Sequence, residues 1–536
     1  MERRDFLKAG GAACAGLAAG AAVLLPTSGI LAGTLARPGM KIGHSLRVGR
    51  MGHMRAASRV PERVSVLIVG GGVAGLSAAY YLSKAGMHDH LLLEMEDGIG
   101  GNAAWGENKV TRYPWGAHYL PLPSRESRHV RQMLHEFGIL LEGVDSDAPT
   151  YDERLMVHAP EERVFDRSLW REGVFHEDGL APWEKDESRR FGEVMARYRG
   201  AYGADGRKAF AMPAGFSSSD PQYRKLDRLT MAEWLAANGF RGARLLWYVN
   251  YCCRDDFGTG IDTVSAWMGV HYFASRAGKG FHAGEGAFLT WPEGLGRLTA
   301  ELARRSGGRR ERGFVYRLVD APKGIRALAY FPESGEQREI SAQKVIWAAP
   351  AHAARPAIGH ELLADRRALE VESAPWVVAN LELKDWPMYR PEAPFSWDNV
   401  IMGGSGLGYV VATHQDIVQA THGPTVLTCY DAWSQGGDFA RNRRLLEHAG
   451  WATLAGRFLA DLRLAHPDID GLAARMDIRI WGHAMASPGR GFLSHPARGL
   501  ARLDGKLLFA HTDAAGYSVF EEASWLGMRA AQKAMA

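Results

Sequence analysis

Residues 64–101 carry the pattern that most constrains how this chain folds. Val64–Val69 is an apolar, β-branched run, which is typical of a parallel strand covered on both faces. A glycine-rich turn and a helical pattern follow, and Leu91–Leu93 predicts a second strand that ends at Glu94. The turn has G-x-G-x-x-G spacing, and its glycines are Gly70, Gly72 and Gly75.

Each part of this turn has a physical role in holding a dinucleotide. The first glycine permits the tight turn, the second lets the backbone approach a pyrophosphate, and the third lets helix and strand pack closely. Val73 and Ala74 open the helix, whose N-terminus favours phosphate. Glu94 can accept hydrogen bonds from the hydroxyls of an adenosine ribose. Because strand, turn, helix, strand and acid occur in order, we predict a dinucleotide site.

A second glycine run, 403–408, has to be weighed as a nicotinamide site. It is followed by Tyr409–Thr413, which has a strand pattern, so the helix N-terminus that phosphates need is missing. We therefore predict a hairpin turn and no second dinucleotide site. This favours an oxidase, or an enzyme using another electron acceptor, over an NAD(P)H-dependent reductase.

Composition excludes several other classes of protein. The chain has 536 residues, is 46% hydrophobic and carries a formal net charge of only +4, so we expect a large core and no nucleic-acid partner. Its four cysteines lack C-x-x-C spacing, and no H-E-x-x-H or similar pattern is present. We predict no metal site.

The N-terminus has the features of a targeting segment. Residues 3–8 read R-R-D-F-L-K and precede a mild Ala/Gly-rich apolar stretch over 9–25, which resembles a twin-arginine signal. Residues 34–36 (T-L-A) form a plausible cleavage site. We predict a signal peptide over 1–36 and a basic, solvated linker over 37–61. This implies the twin-arginine export machinery as a partner and a periplasmic or otherwise extracytoplasmic location.

The residues after Glu94 resemble the flavin-containing amine oxidase superfamily, which includes phytoene desaturases and protoporphyrinogen oxidases. Gly100, Gly101 and Asn102 match its glycine turn beside the flavin phosphates, although the family often has Arg where this chain has Asn102. Further on, residues 114–118 (P-W-G-A-H) resemble the family's D-x-G-x-H segment beside the flavin ring. The resemblance implies FAD as the cofactor and adds Trp115, Gly116 and His118 to its site.

The C-terminal part of the chain supports the same resemblance. Residues 506–510 predict a strand leading to His511 and Asp513, where relatives place an acid near the ribityl phosphate. The small residues Ala523 and Gly527 follow on a predicted helix that points at the flavin. In the middle of the chain, Val315 lies in a short strand that in relatives offers its backbone to adenine.

The resemblance implies an α/β fold with two domains. One is a discontinuous, Rossmann-like FAD-binding domain of the glutathione-reductase type, and the other is a substrate domain with a mixed sheet backed by helices. The predicted FAD-binding segments are 62–125, 286–355 and 478–536, and the substrate segments are 126–285 and 356–477.

The implied activity is oxidation of a C–N or C–C bond by hydride transfer to flavin N5, with oxygen or a quinone as the electron acceptor. Many amine oxidases have a lysine near N5, where this chain has Ala379 or Asn380. A carotenoid- or porphyrin-type desaturase or isomerase, and a non-catalytic flavin-binding protein, therefore remain alternatives. The substrate would be an amine or an apolar polyene. No catalytic residue is assigned, and His118 and His483 are the candidates for proton handling.

Overall fold

The computed structural model describes residues 31–47, 61–284, 286–416, 422–502 and 505–536. The double arginine at residues 3 and 4, most of the predicted signal, and residues 48–60 of the predicted linker lie outside the described residues. Among the helices of the described ranges, none is both long and apolar enough to cross a bilayer.

Runs of strands and runs of helices follow one another along the chain. The strands are β1 (Leu35–Ala36), β2 (Glu62–Val69), β3 (His90–Glu94), β4 (Trp105–Glu107), β5 (Arg112–Pro114), β6 (Tyr119–Pro121), β7 (Leu140–Glu142), β8 (Thr150–Tyr151), β9 (Glu162–Asp166), β10 (Leu169–Glu172), β11 (Phe288–Thr290), β12 (Arg309–Arg312), β13 (Phe314–Ala321), β14 (Gly324–Phe331), β15 (Glu336–Trp347), β16 (Ser373–Leu383), β17 (Asp398–Ile401), β18 (Gly408–Val411), β19 (Thr425–Ala432), β20 (Ala473–Ala486) and β21 (Leu507–Phe509). The helices are α1 (Met40–Arg47), α2 (Val73–Lys84), α3 (Arg128–Glu136), α4 (Pro182–Gly200), α5 (Pro221–Arg224), α6 (Met231–Ala237), α7 (Ala243–Phe257), α8 (Ala266–Ser275), α9 (Gly296–Arg305), α10 (Ala351–Ala357), α11 (Phe439–His448), α12 (Trp451–Ala465), α13 (Ile469–Leu472) and α14 (Phe520–Met535).

Seven strands from three separate stretches of the chain form the first sheet. Its order is β12-β3-β2-β15-β14-β13, with β21 beside β15. β12, β3, β2, β15 and β21 are parallel, whereas β13, β14 and the first half of β15 form an antiparallel meander. β2 and β3 are buried because helices and the meander cover both faces, as their continuous apolar sequences predict. The Rossmann-like fold class is confirmed.

Two helices pack closely on one face of this sheet. α2 follows the glycine turn and contacts α14, which closes the chain. The contact is tight because Gly527 faces the Ala74 carbonyl: a Cβ at residue 527 would lie 2.1 Å from that oxygen and 2.9 Å from the Ser77 Cβ. The small residue in this position is therefore needed for the helices to approach.

The second sheet has eight strands in the order β1-β20-β16-β19-β18-β17-β9-β10, and most neighbours are antiparallel. α12 packs on one face, whereas the long helices α4, α7 and α8 form a separate apolar cluster. The glycine run over 403–408 connects β17 to β18, which pair antiparallel, so the predicted hairpin turn is confirmed.

Two predicted boundaries are wrong. The boundary at residue 478 cuts through β20, which starts at Ala473 and belongs wholly to the second sheet because its residues pair with β16. The solvated linker is wrong for residues 37–47. Leu35–Ala36 pairs parallel with β20, and α1 follows as a regular helix, so the chain enters the fold before residue 37.

The α2–α14 contact predicts a packing-sensitive position. Gly527→Ala should destabilise the protein by about 1–3 kcal/mol, since a methyl group has to push two packed helices apart. Gly456→Ala is the matched control because Gly456 is also a buried helical glycine, yet a Cβ there meets no atom within 4 Å. The control should be neutral or slightly stabilising. Urea unfolding of both variants checks this, and equal stability would contradict the close contact.

Candidate cofactor cleft and substrate cavity

Two glycine turns meet at the carboxyl ends of β2 and β3. The first turn has Gly70 at φ +105°, and the second has Gly100 at φ +116° and Gly101 at φ +56°. Residues other than glycine rarely adopt these positive φ angles. The Gly100 amide donates to the Gly71 carbonyl at 2.8 Å, and a Cβ on Gly101 would lie 3.2 Å from the Gly72 Cα. The bare backbones of both turns can therefore approach a ligand closely.

The start of α2 is open to an anion. Gly72 is the N-cap of α2 and has no side chain to cap it. The first helical turn of α2 carries no acidic residue. Gly75 does not line the cleft but lets α2 pack on the turn, since a Cβ there would lie 1.9 Å from the Gly70 carbonyl oxygen. The unsatisfied amides of a helix N-terminus form the phosphate site of dinucleotide folds.

Glu94 ends β3 and joins the two turns to the strand. One carboxylate oxygen accepts a hydrogen bond from the Gly71 amide at 2.6 Å, and the other accepts one from the Glu96 amide at 2.8 Å. Burial raises the pKa of Glu94, although these amides and the Arg479 charge oppose the shift. The carboxylate thus supports the glycine turn and also lines the cleft beside it.

These turns form one end of a cleft of about 600 Å³, the cofactor cleft. Asn102 directly follows the second turn and donates from Nδ2 to the Ala484 carbonyl. The structure brings most of the predicted cofactor residues together. The predicted residues that line the cleft are Gly70, Gly72, Val73, Ala74, Glu94, Gly100, Gly101, Asn102, Val315, His483 and Ala523.

Besides Gly75, four predicted cofactor residues do not line the cleft: Trp115, Gly116, His118 and Asp513. Asp513 is buried and accepts a hydrogen bond from the Ala351 amide at 2.7 Å, so it caps α10. Burial alone would raise its pKa, but His511 and this amide outweigh burial and lower the pKa to about 2. Trp115 packs edge-on against Tyr113, and its carbonyl accepts a hydrogen bond from the cleft residue Trp481. Instead of Asp513, its neighbours His511 and Thr512 line the cleft.

A smaller cavity of about 130 Å³, the inner cavity, adjoins the cofactor cleft and shares Asn102, Ala117, Trp481 and Phe520 with it. Gly116 and His118 line this cavity. Among the described residues, none of those that line it is a lysine, and the strand that carries Ala379 and Asn380 contributes Trp376 and Val378 to its wall.

The two histidine candidates lie in different places. His118 lines the inner cavity and stacks on Tyr430 with ring centroids 4.6 Å apart, and burial lowers its pKa to about 4. His483 lines the cofactor cleft, where it stacks on His352 at 3.8 Å and its Nδ1 lies 2.8 Å from the Ser373 hydroxyl. The structure therefore does not bring them into one proton-handling pair.

Beyond the inner cavity is a third space of about 70 Å³, the acidic chamber. It shares His118, Tyr119, Asp255 and Tyr430 with the inner cavity, so these two spaces are adjacent. Three carboxylates and several aromatic rings line it. These are Glu162, Asp255, Asp398, Tyr119, Tyr248, Tyr251, Tyr272, Phe288, Trp397, Tyr409 and Tyr430. Within the described ranges, no group of three or more His, Cys, Asp or Glu side chains could hold a metal ion.

The acidic chamber was not predicted, yet one signal for it exists in the sequence. Tyr248, Tyr251, Cys252 and Asp255 recur at i, i+3, i+4 and i+7, which places them on one face of α7. An aspartate among these aromatic and cysteine residues indicates that this face of the helix contacts a space that contains a polar group.

The segment before β2 also contributes to the cofactor cleft, which the sequence reasoning missed. Residues 37–40 and His44 form part of its wall, beside α11. Arg37 donates to the Leu446 carbonyl at 3.2 Å and to the Ala449 carbonyl at 2.5 Å. We call residues 31–47 the N-terminal strap.

Arg37 should hold the N-terminal strap against α11. Arg37→Ala removes its hydrogen bonds to two carbonyls, so we expect thermolysin to cleave the strap about fivefold faster. Lys41→Ala is the control, because the Lys41 side chain is exposed on the same segment. Equal cleavage of the two variants would show that the guanidinium does not anchor the strap.

Asp255 should make the stability of the protein depend on pH. Burial, and secondarily the Asp256 charge, raise its pKa to about 7, from about 3.9 in an unfolded chain. The protonated Asp255 therefore adds fully to the free energy of unfolding below about pH 4, and this stabilisation is lost as the pH rises through about 7. The free energy of unfolding of Asp255→Asn should therefore exceed that of wild type by about 1–3 kcal/mol at pH 8, and by less at pH 5.

The control for this pH dependence is Asp262→Asn, an exposed aspartate that follows the same helix. Chemical unfolding at pH 5 and pH 8 measures both variants. An Asp255→Asn difference that did not grow with pH would contradict the raised pKa.

Comparisons with known proteins agree with this geometry. Residues 68–137 match the model of the NAD(P)-binding Rossmann-like domain. An 83-residue stretch is 42% identical to L-amino acid oxidase from Cerastes cerastes, and it covers 15% of each chain. A 65-residue stretch is 46% identical to 15-cis-phytoene desaturase from Arabidopsis thaliana, covering 12% of this chain and 11% of that protein. These matches thus span only a small part of the curated relatives.

A structural comparison extends over most of the chain. Putrescine oxidase bound to putrescine superposes with a TM-score of 0.63 at 18% identity, over 88% of this chain and 98% of that one. Similarity at this level of identity shows the fold. The chain therefore contains an NAD(P)-binding Rossmann-like domain and has the fold of the flavin amine oxidases.

Proposed function

We propose that this protein is an FAD-dependent oxidoreductase of the amine oxidase type that oxidises the C–N bond of an amine. The single observation that carries the proposal is the series of adjoining spaces. A dinucleotide cleft adjoins a smaller cavity, and that cavity adjoins a chamber lined by carboxylates and aromatic rings.

The cofactor cleft fits FAD at several points. The open N-terminus of α2 suits a pyrophosphate, and Glu94 is placed to accept hydrogen bonds from an adenosine ribose. The side chain of Val315 is buried on β13 while its residue lines the cleft, as expected for an adenine contact. Ala523, at the start of α14, lines the opposite side. A bound FAD would supply a two-electron acceptor for the substrate.

The inner cavity would hold and orient the reacting amine. Its wall includes the rings of Trp376, Tyr430 and Trp481, which exclude water and leave room for a small carbon chain. His118 is neutral at physiological pH because burial lowers its pKa to about 4. We infer that His118 shapes the wall and accepts or donates one hydrogen bond, rather than delivering a proton.

The proposed reaction balances without a metal. The substrate carbon loses a hydride, the amine nitrogen loses a proton, and an imine remains, which water hydrolyses to a carbonyl compound and an amine or ammonia. Oxygen or a quinone, acting as the oxidant, takes the two electrons from the cofactor in the second half of the cycle.

An apolar polyene is the alternative substrate, and similarity to phytoene desaturase over 65 residues supports it. The missing lysine also leaves this alternative open. However, Glu162, Asp255 and Asp398 would have to be desolvated against a hydrocarbon chain, which costs several kcal/mol per buried charge unless the charge is neutralised. We therefore favour the amine.

Export by the twin-arginine route to the periplasm, or to another extracytoplasmic space, is part of the proposal. It rests on the R-R-D-F-L-K sequence and the mild apolar stretch after it. That route is understood to carry folded proteins, which would allow FAD to bind before export.

The test combines cofactor uptake and anaerobic reduction. The purified protein should bind FAD, and Glu94→Gln should weaken FAD binding by about tenfold because it removes the charge from the turn-supporting carboxylate. Asp97→Asn is the control, since that side chain is 85% exposed. The FAD-loaded protein should then lose its flavin absorbance when n-butylamine or 1,4-diaminobutane is added without oxygen.

The outcomes separate the three functions. Bleaching by an amine supports the oxidase, and bleaching only by a polyene supports the desaturase. A yellow protein that no donor reduces would indicate a non-catalytic flavin-binding protein. Failure to take up FAD would overturn all of them.

A further inference from the structure

The acidic chamber places two carboxylates side by side. Glu162 begins β9 and Asp398 begins β17, and these two residues are direct partners in the parallel register of the two strands. Their side chains therefore project from the same face of the sheet, into the chamber. Like charges in directly opposed positions destabilise a sheet. Asp255 adds a third carboxylate from α7, on the other side of the chamber.

No cation in the described part of the chain forms an ion pair with these three carboxylates. Arg276 is the nearest candidate, but it pairs with Asp256 at 2.5 Å and lies 4.3 Å from the centre of the Tyr272 ring. Tyr517 also donates to Asp256 at 2.6 Å. The Tyr119 hydroxyl reaches Asp255 only at 3.5 Å. The carboxylates thus line the space with weak hydrogen-bond partners, namely the Tyr119 hydroxyl and the Val174 and Asn399 amides, and without an ion-pair partner among the described residues.

This arrangement destabilises the protein when nothing is bound. Burial raises the pKa of Asp398 well above its usual range, and the nearby Glu162 and Asp255 charges raise it further. Glu162 also has a raised pKa, caused by burial and then by Glu161. A cation that entered the chamber would remove the repulsion, which is the reason that buried charges are normally paired.

The remaining walls of the chamber suit a cation with a carbon chain. Tyr119 meets Phe288 and Trp397 edge-on, at ring-centroid distances of 4.9 and 5.8 Å, and Tyr430 stacks on His118. Aromatic rings attract ammonium groups through their electron-rich faces. A volume of about 70 Å³ has room for an ammonium group and a short methylene segment.

The chamber is adjacent to the inner cavity, which is itself adjacent to the cofactor cleft. Tyr119, Asp255 and Tyr430 line both the chamber and the inner cavity, and Asn102 and Trp481 line both the inner cavity and the cofactor cleft. A flexible chain that passes between these shared residues would extend from the chamber towards the cofactor.

We propose that the acidic chamber binds the second ammonium group of a linear diamine or polyamine while its other amine lies in the inner cavity. This inference rests on the proposed function, because it names the class of amine that the same site would oxidise. Glu162, Asp255 and Asp398 are then specificity-determining residues, which select substrates with two cationic groups over monoamines.

The test compares two amines of equal chain length in the FAD-loaded protein. Titration calorimetry without oxygen should show 1,4-diaminobutane binding at least tenfold more tightly than n-butylamine. Asp398→Asn, which keeps the shape and removes the charge, should weaken diamine binding by about tenfold or more and leave n-butylamine binding within twofold. Glu162→Gln should act in the same direction and serves as the second variant if Asp398→Asn does not fold.

The control variant is Glu172→Gln, since Glu172 is an exposed acid in β10 of the same sheet. It should leave the binding of both amines unchanged. Equal binding of the two amines by wild type, or equal weakening of both by Asp398→Asn, would overturn the inference.

Binding and flavin reduction are measured separately so that two failures can be told apart. If the diamine binds selectively through Asp398 and no amine bleaches the flavin, the diammonium site stands and the proposed oxidation fails. If both amines bleach the flavin with no preference, the oxidation stands and the diammonium site fails.

Discussion

The parallel alignment of β2 between β3 and β15 is the constraint on which the rest of the structure depends. It brings the carboxyl ends of these strands to one edge of the sheet, where Val69, Glu94 and Trp347 end their strands together. Ligands bind at this edge in open α/β sheets because the loops diverge there. The cofactor cleft, and through it the order of the inner cavity and the acidic chamber, follows from this alignment.

The second sheet brings acidic side chains close together beside the inner cavity. Its strands β9 and β17 start with acids in register, and α7 adds Asp255 opposite them. In the free protein, burial and the neighbouring acids raise the pKa values of Asp255 and Asp398, whereas most buried charges in proteins are paired. Destabilising groups of this kind are expected at functional sites, because a ligand of opposite charge offsets their cost when it binds.

The sequence was informative where a function depends on neighbours along the chain. Gly70, Gly72 and Glu94 were predictable because the turn, the helix start and the strand end are separated by short, fixed spacings. Asp513 was not, although it lies next to two residues that line the cleft. A short 3₁₀ turn over Thr512–Ala514 rotates its side chain towards Ala351, and such a rotation leaves no pattern in the sequence.

The N-terminal strap shows a related limit. Residues 37–47 are basic and contain few apolar residues, so composition favours a solvated linker. In the structure the segment is held by partners far along the chain: Thr34 bonds Asp477, and Arg37 bonds the carbonyls at the end of α11. Contacts with such large separation in sequence carry no local signal.

By itself, the sequence determined the Rossmann-like half of this protein and the dinucleotide turn, because short-range backbone geometry and the periodicity of buried strands decide both. Only the tertiary structure decided what lies beyond the cofactor. The register between β9 and β17, and the packing of α7 over them, bring Glu162, Asp255 and Asp398 into one enclosed space. The physical reason is that pairing between distant strands, and not local propensity, sets which charges meet.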